Sequence, residues 1–305
     1  MKYLMMSAAA LALAACSQET TTSATEAGGS SAAPETATSD QRSASERLDE
    51  ALEAQADEVK ARYQYRNPKE TLEFFGVKPG MTVLEALPGG GWYSKILVPY
   101  LGPDGALIGA DYSMEMWPLF TGFATEEFLA ERATWAADWP AQTEEWGIEN
   151  GAPVSAFVFG SMPDEMAGTA DAVLLVRALH NLSRFEDEGG FRTQALEEAF
   201  RVLKPGGVAG VVQHRAPADS SDDWADGSNG YLKEAALIAA FEAAGFELVD
   251  TSEVNANPKD QPTEQDIVWR LPPTFGTSEN NAELRAEMEA IGESDRMTLK
   301  FRKPE

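Results

Sequence analysis

The sequence predicts a doubly wound α/β domain on a largely parallel sheet, and three observations predict it. Short apolar runs of strand length alternate with amphipathic helical segments. One run, "VLEALPGGGWYSKIL" (83–97), passes through a glycine turn into a helix. The next, "ALIGAD" (106–111), closes on an acid. Strands covered by helices on both faces have no polar face to alternate with, so they read as nearly unbroken Val, Leu, Ile and Ala. At 305 residues and 43% hydrophobic content the chain can bury a full core. Its formal charge of -26 repels phosphate backbones, and no basic stripe offsets it, so nucleic acid is not an expected partner.

The first residues, "MKYLMMSAAALALAAC", place one basic residue, Lys2, before an apolar run that ends in small residues at Cys16. This is the anatomy of a signal peptide over 1–15, too short to span a bilayer. Leu13-Ala14-Ala15-Cys16 resembles the lipobox of bacterial lipoproteins. That resemblance implies lipidation at Cys16, export, and a lipid anchor in the cell envelope on the periplasmic side of a bacterial outer membrane. An ordinary secretory signal cleaved at a neighbouring alanine, or a merely apolar start, are the other readings. Cys16 is the only cysteine, so no internal disulfide framework or cysteine-rich metal site is available. Residues 16–44, rich in Ser, Thr, Ala and Glu, contain no large apolar side chain and read as a flexible tether to a domain over 45–305.

Within that domain Leu48, Leu52, Ala56, Val59 and Tyr63 recur at helical spacing, and a short helix follows. Asn67 is its expected N-cap, Pro68 its first residue, Glu70 lies three residues after the cap, and Gly76 ends it. Then come a strand over 81–87, a helix closed by Gly102 and a strand over 106–111. Apolar runs over 154–160 and 170–179 give a third and fourth strand. A helix from Phe191 stops at Pro205-Gly206-Gly207, ahead of a fifth strand over 208–214. A helix over 229–246, a sixth strand over 247–254 and an alternating seventh over 296–302 complete the series, with no internal repeat.

Three of these stretches, "VLEALPGGGWY", "IGAD" and "EEAFRVLKPGGVAGVVQH", resemble class I S-adenosylmethionine-dependent methyltransferases across essentially the whole domain. A narrower group of predicted bacterial methyltransferases is also similar, with a "PGGGWY" loop, an "HN" after the fourth strand and an ending like "ESDRMTLKFRKP". The resemblance implies a seven-stranded Rossmann-like sheet whose last strand is antiparallel, and S-adenosylmethionine as cofactor. Its methionine portion would lie against Pro88, Gly89, Gly90 and Gly91, with Glu85 near its amino acid end. Asp111, at the tip of the second strand, would accept hydrogen bonds from the ribose hydroxyls. The family pattern departs at Leu87, which stands where the first glycine belongs, so the turn must be built differently; a loop that simply joins strand to helix is the competing reading. A dinucleotide fingerprint lacks its third glycine, a phosphate loop lacks Gly-Lys-Ser/Thr, and no G-x-S-x-G elbow supports a hydrolase.

Methyl transfer asks chiefly for in-line positioning, with a base where the nucleophile carries a proton. The only two histidines, His180 and His214, follow the fourth and fifth strands on one predicted edge and are the candidate bases, with Arg177, Asn181 and Arg215 as polar neighbours. Structural, hydrogen-bonded histidines are the alternative, and two histidines alone make no supported metal site. An insert at 112–152 carries Trp117, Phe120, Phe123, Phe128, Trp135, Trp139 and Trp146, either as an apolar pocket or lid or as a helix packed on the core. The irregular stretch 255–276 reads as a binding loop or lid. The acidic surface favours a neutral or cationic small-molecule substrate. The rival function is an exported, non-catalytic binding or scaffold lipoprotein that keeps the methyltransferase fold.

Overall fold

In the computed structural model the described residues are 42–305; the signal segment, Cys16 and the tether up to residue 41 lie outside them. Helix α1 (Ala44–Glu53) starts at a reciprocal capping box between Ser43 and Glu46, each side chain accepting from the other's backbone N–H. It buries Leu48 and Leu52, but the apolar spacing beyond them does not continue as one helix. The chain breaks around exposed Ala56 and resumes as two single turns, α2 (Asp57–Lys60) and α3 (Tyr63–Arg66). Asn67 precedes α4 (Pro68–Phe75) in left-handed backbone (φ 39°), and its amide donates to the Val254 carbonyl at 2.7 Å. It therefore ties two segments together and leaves the helix uncapped, contrary to its expected role. Gly76 (φ 79°) ends α4 as predicted.

The alternating series follows in order. It comprises β1 (Thr82–Ala86), α5 (Ser94–Leu101), β2 (Ala106–Asp111), α6 (Glu126–Glu144), β3 (Val154–Val158) and β4 (Ala170–Val176). Then come α7 (Leu179–Arg184), α8 (Glu186–Gly189), α9 (Phe191–Val202), β5 (Leu203–His214), α10 (Glu234–Ala243), β6 (Glu247–Ser252), α11 (Ala282–Ile291) and β7 (Arg296–Arg302). The seven strands form one sheet in the order β3-β2-β1-β4-β5-β7-β6. All neighbours are parallel except β7, which runs antiparallel between β5 and β6. This is the expected doubly wound, seven-stranded sheet with its last strand antiparallel.

Each central strand feeds two cores. Val83, Leu107 and Leu174 pack with α1, α4, α5 and α6, while Leu84, Ile108, Val173 and Leu175 pack on the other face with α9 and α10. That two-sided burial is why these strands carry no polar alternation. Chain order reverses between β1 and β4, so a crevice opens beyond their carboxyl ends.

β3 and β6 each end two residues early, and three other boundaries differ more from expectation. β4 stops at Val176, because Arg177 turns into left-handed backbone (φ 57°) and α7 begins. The β5 ladder starts early, at Leu203 opposite Ala170, bulges through Lys204–Gly207 and resumes at Val208 opposite Ala172. α10 starts only at Glu234, because the Leu232 N–H bonds the His214 carbonyl at 3.0 Å and holds the preceding residues against β5. In the insert, Trp135 and Trp139 stack at 5.5 Å and are buried. Trp139 lies over Gly109 of β2, where a Cβ would come within 2.6 Å of its ring. For these two the core-packing reading holds. No helix among the described residues is long and apolar enough to cross a membrane.

Candidate active site

Glu85 points into the end of β1 and is buried, its Oε2 accepting from the Ser94 hydroxyl at 2.6 Å. Burial pushes its carboxyl up to about 7, and the Ser94 hydrogen bond only partly opposes this. A folded-state pKa above the unfolded one adds stability that is complete below about pH 4.5 and is lost as pH rises through 7. Glu85→Gln removes that dependence. In urea unfolding the variant is expected to gain on the wild type by roughly 3 kcal/mol between pH 4.5 and 8.5. A pH-independent difference between the two would refute the raised carboxyl.

The turn after β1 gives each residue a different reason for its identity. Leu87 adopts the left-handed conformation (φ 53°) that a glycine would take more cheaply, fixed by its N–H to the Ala110 carbonyl at 2.7 Å. Gly89 (φ 54°) and Gly91 (φ 76°) are also left-handed. A Cβ on Gly91 would lie 2.8 Å from the Trp146 ring, so that glycine makes room for the insert. Gly90 alone needs neither: its φ is ordinary and a Cβ there would meet nothing within 4 Å. Its bareness has no cause inside the fold, and the turn opens outward there.

Asp111 ends β2, buried, with Oδ1 accepting from the Tyr112 N–H at 2.9 Å and Oδ2 3.5 Å from the Arg132 guanidinium of α6. Burial raises its carboxyl to about 6 against the pull of these two partners. Arg132 also lies over the Phe128 and Trp117 rings at 5.2 and 5.8 Å, so the insert covers this tip of the sheet. Sequence reading missed Arg132, which no motif marks.

The two histidines do meet. His180, in the first turn of α7, and His214, the last residue of β5, have ring centroids 5.6 Å apart and line one cavity of about 240 Å³. His214 Nδ1 shares a 2.5 Å hydrogen bond with Ser294 Oγ, whereas His180 Nδ1 is buried with no partner. Burial, aided by the Arg177 charge, holds the His180 imidazole down at about 4. Burial and then Arg296 and the facing His180 put His214 well below its usual range. Both rings are neutral at neutral pH. Arg177 lines the same cavity, but Asn181 donates to the Tyr112 hydroxyl at 3.0 Å instead. Arg215 is bound by Glu253, Asp295 and Glu234 beside a larger groove of about 880 Å³, and is not a partner of the histidines.

The loop over 255–276 supplies Val268, Trp269, Leu271, Pro272, Pro273 and Thr274 to the histidine cavity, the role expected of a binding loop. A buried network pins it: Arg270 donates to Asp260 and to the Tyr231 hydroxyl, both at 2.7 Å. The remaining wall is Leu87, Val176, Glu293, Ser294 and Arg296. Glu293 is ringed by Arg62, Arg66 and Arg296, and Arg66 also stacks on Trp92 of the glycine loop at 4.4 Å. The "PGGGWY" and "ESDR" stretches, far apart in sequence, thus meet through one arginine.

No protein-family model matches the chain, and neither does any curated protein. Among solved structures, the [4+2]-cyclase SpnF aligns with 18% identity over 78% of this chain and 80% of its own, at a TM-score of 0.49. A SAM-dependent methyltransferase from Aquifex aeolicus aligns with 20% identity over 68% of this chain and 93% of its own, at 0.45. A putative methyltransferase from Bacillus halodurans aligns with 17% identity over 79% of this chain and all of its own (100%), at 0.44. These are likenesses of chain path alone.

Proposed function

We propose that this domain is an S-adenosylmethionine-dependent methyltransferase for a small molecule, with the cofactor along the ends of β1 and β2 and the acceptor in the histidine cavity. The observation that carries the reading is Gly90, bare without structural need at the switch point of the sheet, between buried Glu85 and Asp111. The residues fit the cofactor's parts. The open turn admits the amino acid arm against backbone, Glu85 offers a carboxyl toward its amine, and Asp111 offers one to the ribose once Arg132 yields its loose 3.5 Å contact. The bound cofactor supplies a methyl group already activated on a sulfonium.

What remains for the chain is positioning and proton handling. His180 Nδ1, buried without a partner, is the acceptor available for an O–H or N–H proton of the substrate, and the loop over 255–276 forms one wall of the cavity. Export and lipid anchoring at Cys16 belong to the same proposal and rest on residues 1–16 alone.

Gly90→Val tests the reading directly. The side chain enters open space, so the melting temperature is expected to stay within a few degrees of the wild type, while stabilisation by S-adenosylmethionine or its demethylated product disappears. Undiminished stabilisation in the variant would move the cofactor off this turn.

A further inference from the structure

Resting on the methyltransferase reading above, we infer that the acceptor is a small anion, a carboxylate or a phosphate ester, held by the Arg177 guanidinium beside the His180 imidazole. The net charge of the chain is strongly negative, yet this cavity is locally the reverse. Among the described residues Glu293 is the only carboxylate in its wall, and three guanidiniums, Arg62, Arg66 and Arg296, already converge on it. Arg177 is a fourth cation, with no hydrogen bond or ion pair to its side chain among the described residues. Burial and the neighbouring arginines lower it to about 9 against the pull of the Glu293 carboxylate.

Two further observations point to a ligand. Arg177 stands at the cavity wall in a left-handed backbone conformation that costs a non-glycine residue energy, held there by its N–H to the Val212 carbonyl at 2.6 Å. Close by, His180 Nδ1 is a buried polar atom without a partner. Leu87, Val176, Val268, Leu271 and the two prolines supply apolar parts of an otherwise polar wall, and a charge-assisted bond from a guanidinium to a carboxylate or phosphate is stronger than a neutral one. At about 240 Å³ the cavity is smaller than the usual pocket range, which begins near 300 Å³, so the acceptor is small.

The test titrates the full-length chain, at constant ionic strength, with acetate, inorganic phosphate and the neutral acetamide, by calorimetry and thermal midpoint. Acetate or phosphate is expected to bind and acetamide not, and whichever anion binds names the head group. Arg177→Met removes a half-buried charge that has no ion-pair partner among the described residues and should fold at least as stably, while anion affinity falls about ten- to a hundredfold. Arg177→Lys keeps the charge without the fork and should fall between. No anion binding at tens of millimolar, or equal binding by the methionine variant, overturns the inference. S-adenosylmethionine titrated into the same samples separates the two claims: cofactor binding without anion binding sinks only the substrate class, and the converse sinks only the cofactor.

Discussion

Glu293→Gln is expected to cost about 3–5 kcal/mol of folding stability, read as a lower urea midpoint at unchanged slope. Glu293 and Arg296 are both buried, and so is Arg66, while Arg62 reaches in from the rim. Burial works against the Glu293 carboxyl, but the pull of Arg296, Arg66 and Arg62 outweighs it and holds the group down at about 2. Without that charge three guanidiniums face one another in a low-dielectric site with nothing between them. The exposed pair of Arg302 and Glu247 is the contrast. Breaking it by Glu247→Gln should fall within the small range of surface salt bridges. A Glu293 variant as mild as that one would mean the arginine cluster is not held by this carboxylate.

His180→Asn is expected to lower turnover about a hundredfold or more while leaving cofactor affinity nearly unchanged, since a base acts only in the transition state. The same change at His214 should act mainly on stability, because its Nδ1 is already committed to Ser294. Depression of His180 to about 4 also sets the pH signature. The imidazole stays neutral well below pH 6.5, so turnover should hold through that range and fall only as pH approaches 4. The linkage has the same direction. A folded pKa below the unfolded one gives stability that is present above about 6.5 and is lost as pH falls toward 4. Equal turnover in the His180 variant and the wild type, on any acceptor that is methylated, would end its candidacy as the base.

The sheet was legible because a strand buried on two faces carries its own signature, and β1, β2 and β7 lie where apolar runs and glycine stops put them. The early helical stripe was not, since periodicity cannot show that Ala56 breaks it. The two histidines were legible as neighbours because a parallel sheet delivers successive strand ends to one edge. Arg177 was legible in place but not in conformation, for its left-handed backbone follows from tertiary contacts. Arg132, Arg66 and Glu293 reach the site from α6, α3 and the segment before β7, and no local pattern announces a contact over such separations. Gly91 teaches the opposite lesson: the most motif-like glycine is bare for Trp146, and the telling one is Gly90.

Calorimetric titration of the full-length chain with S-adenosylmethionine and with its demethylated product tests the central claim most directly. The account predicts that both bind one site per chain, and that Asp111→Ala weakens them about ten- to a hundredfold by removing charge-assisted hydrogen bonds to the ribose. Absence of binding by either form at millimolar concentration would contradict it, leaving a methyltransferase fold that no longer holds its cofactor.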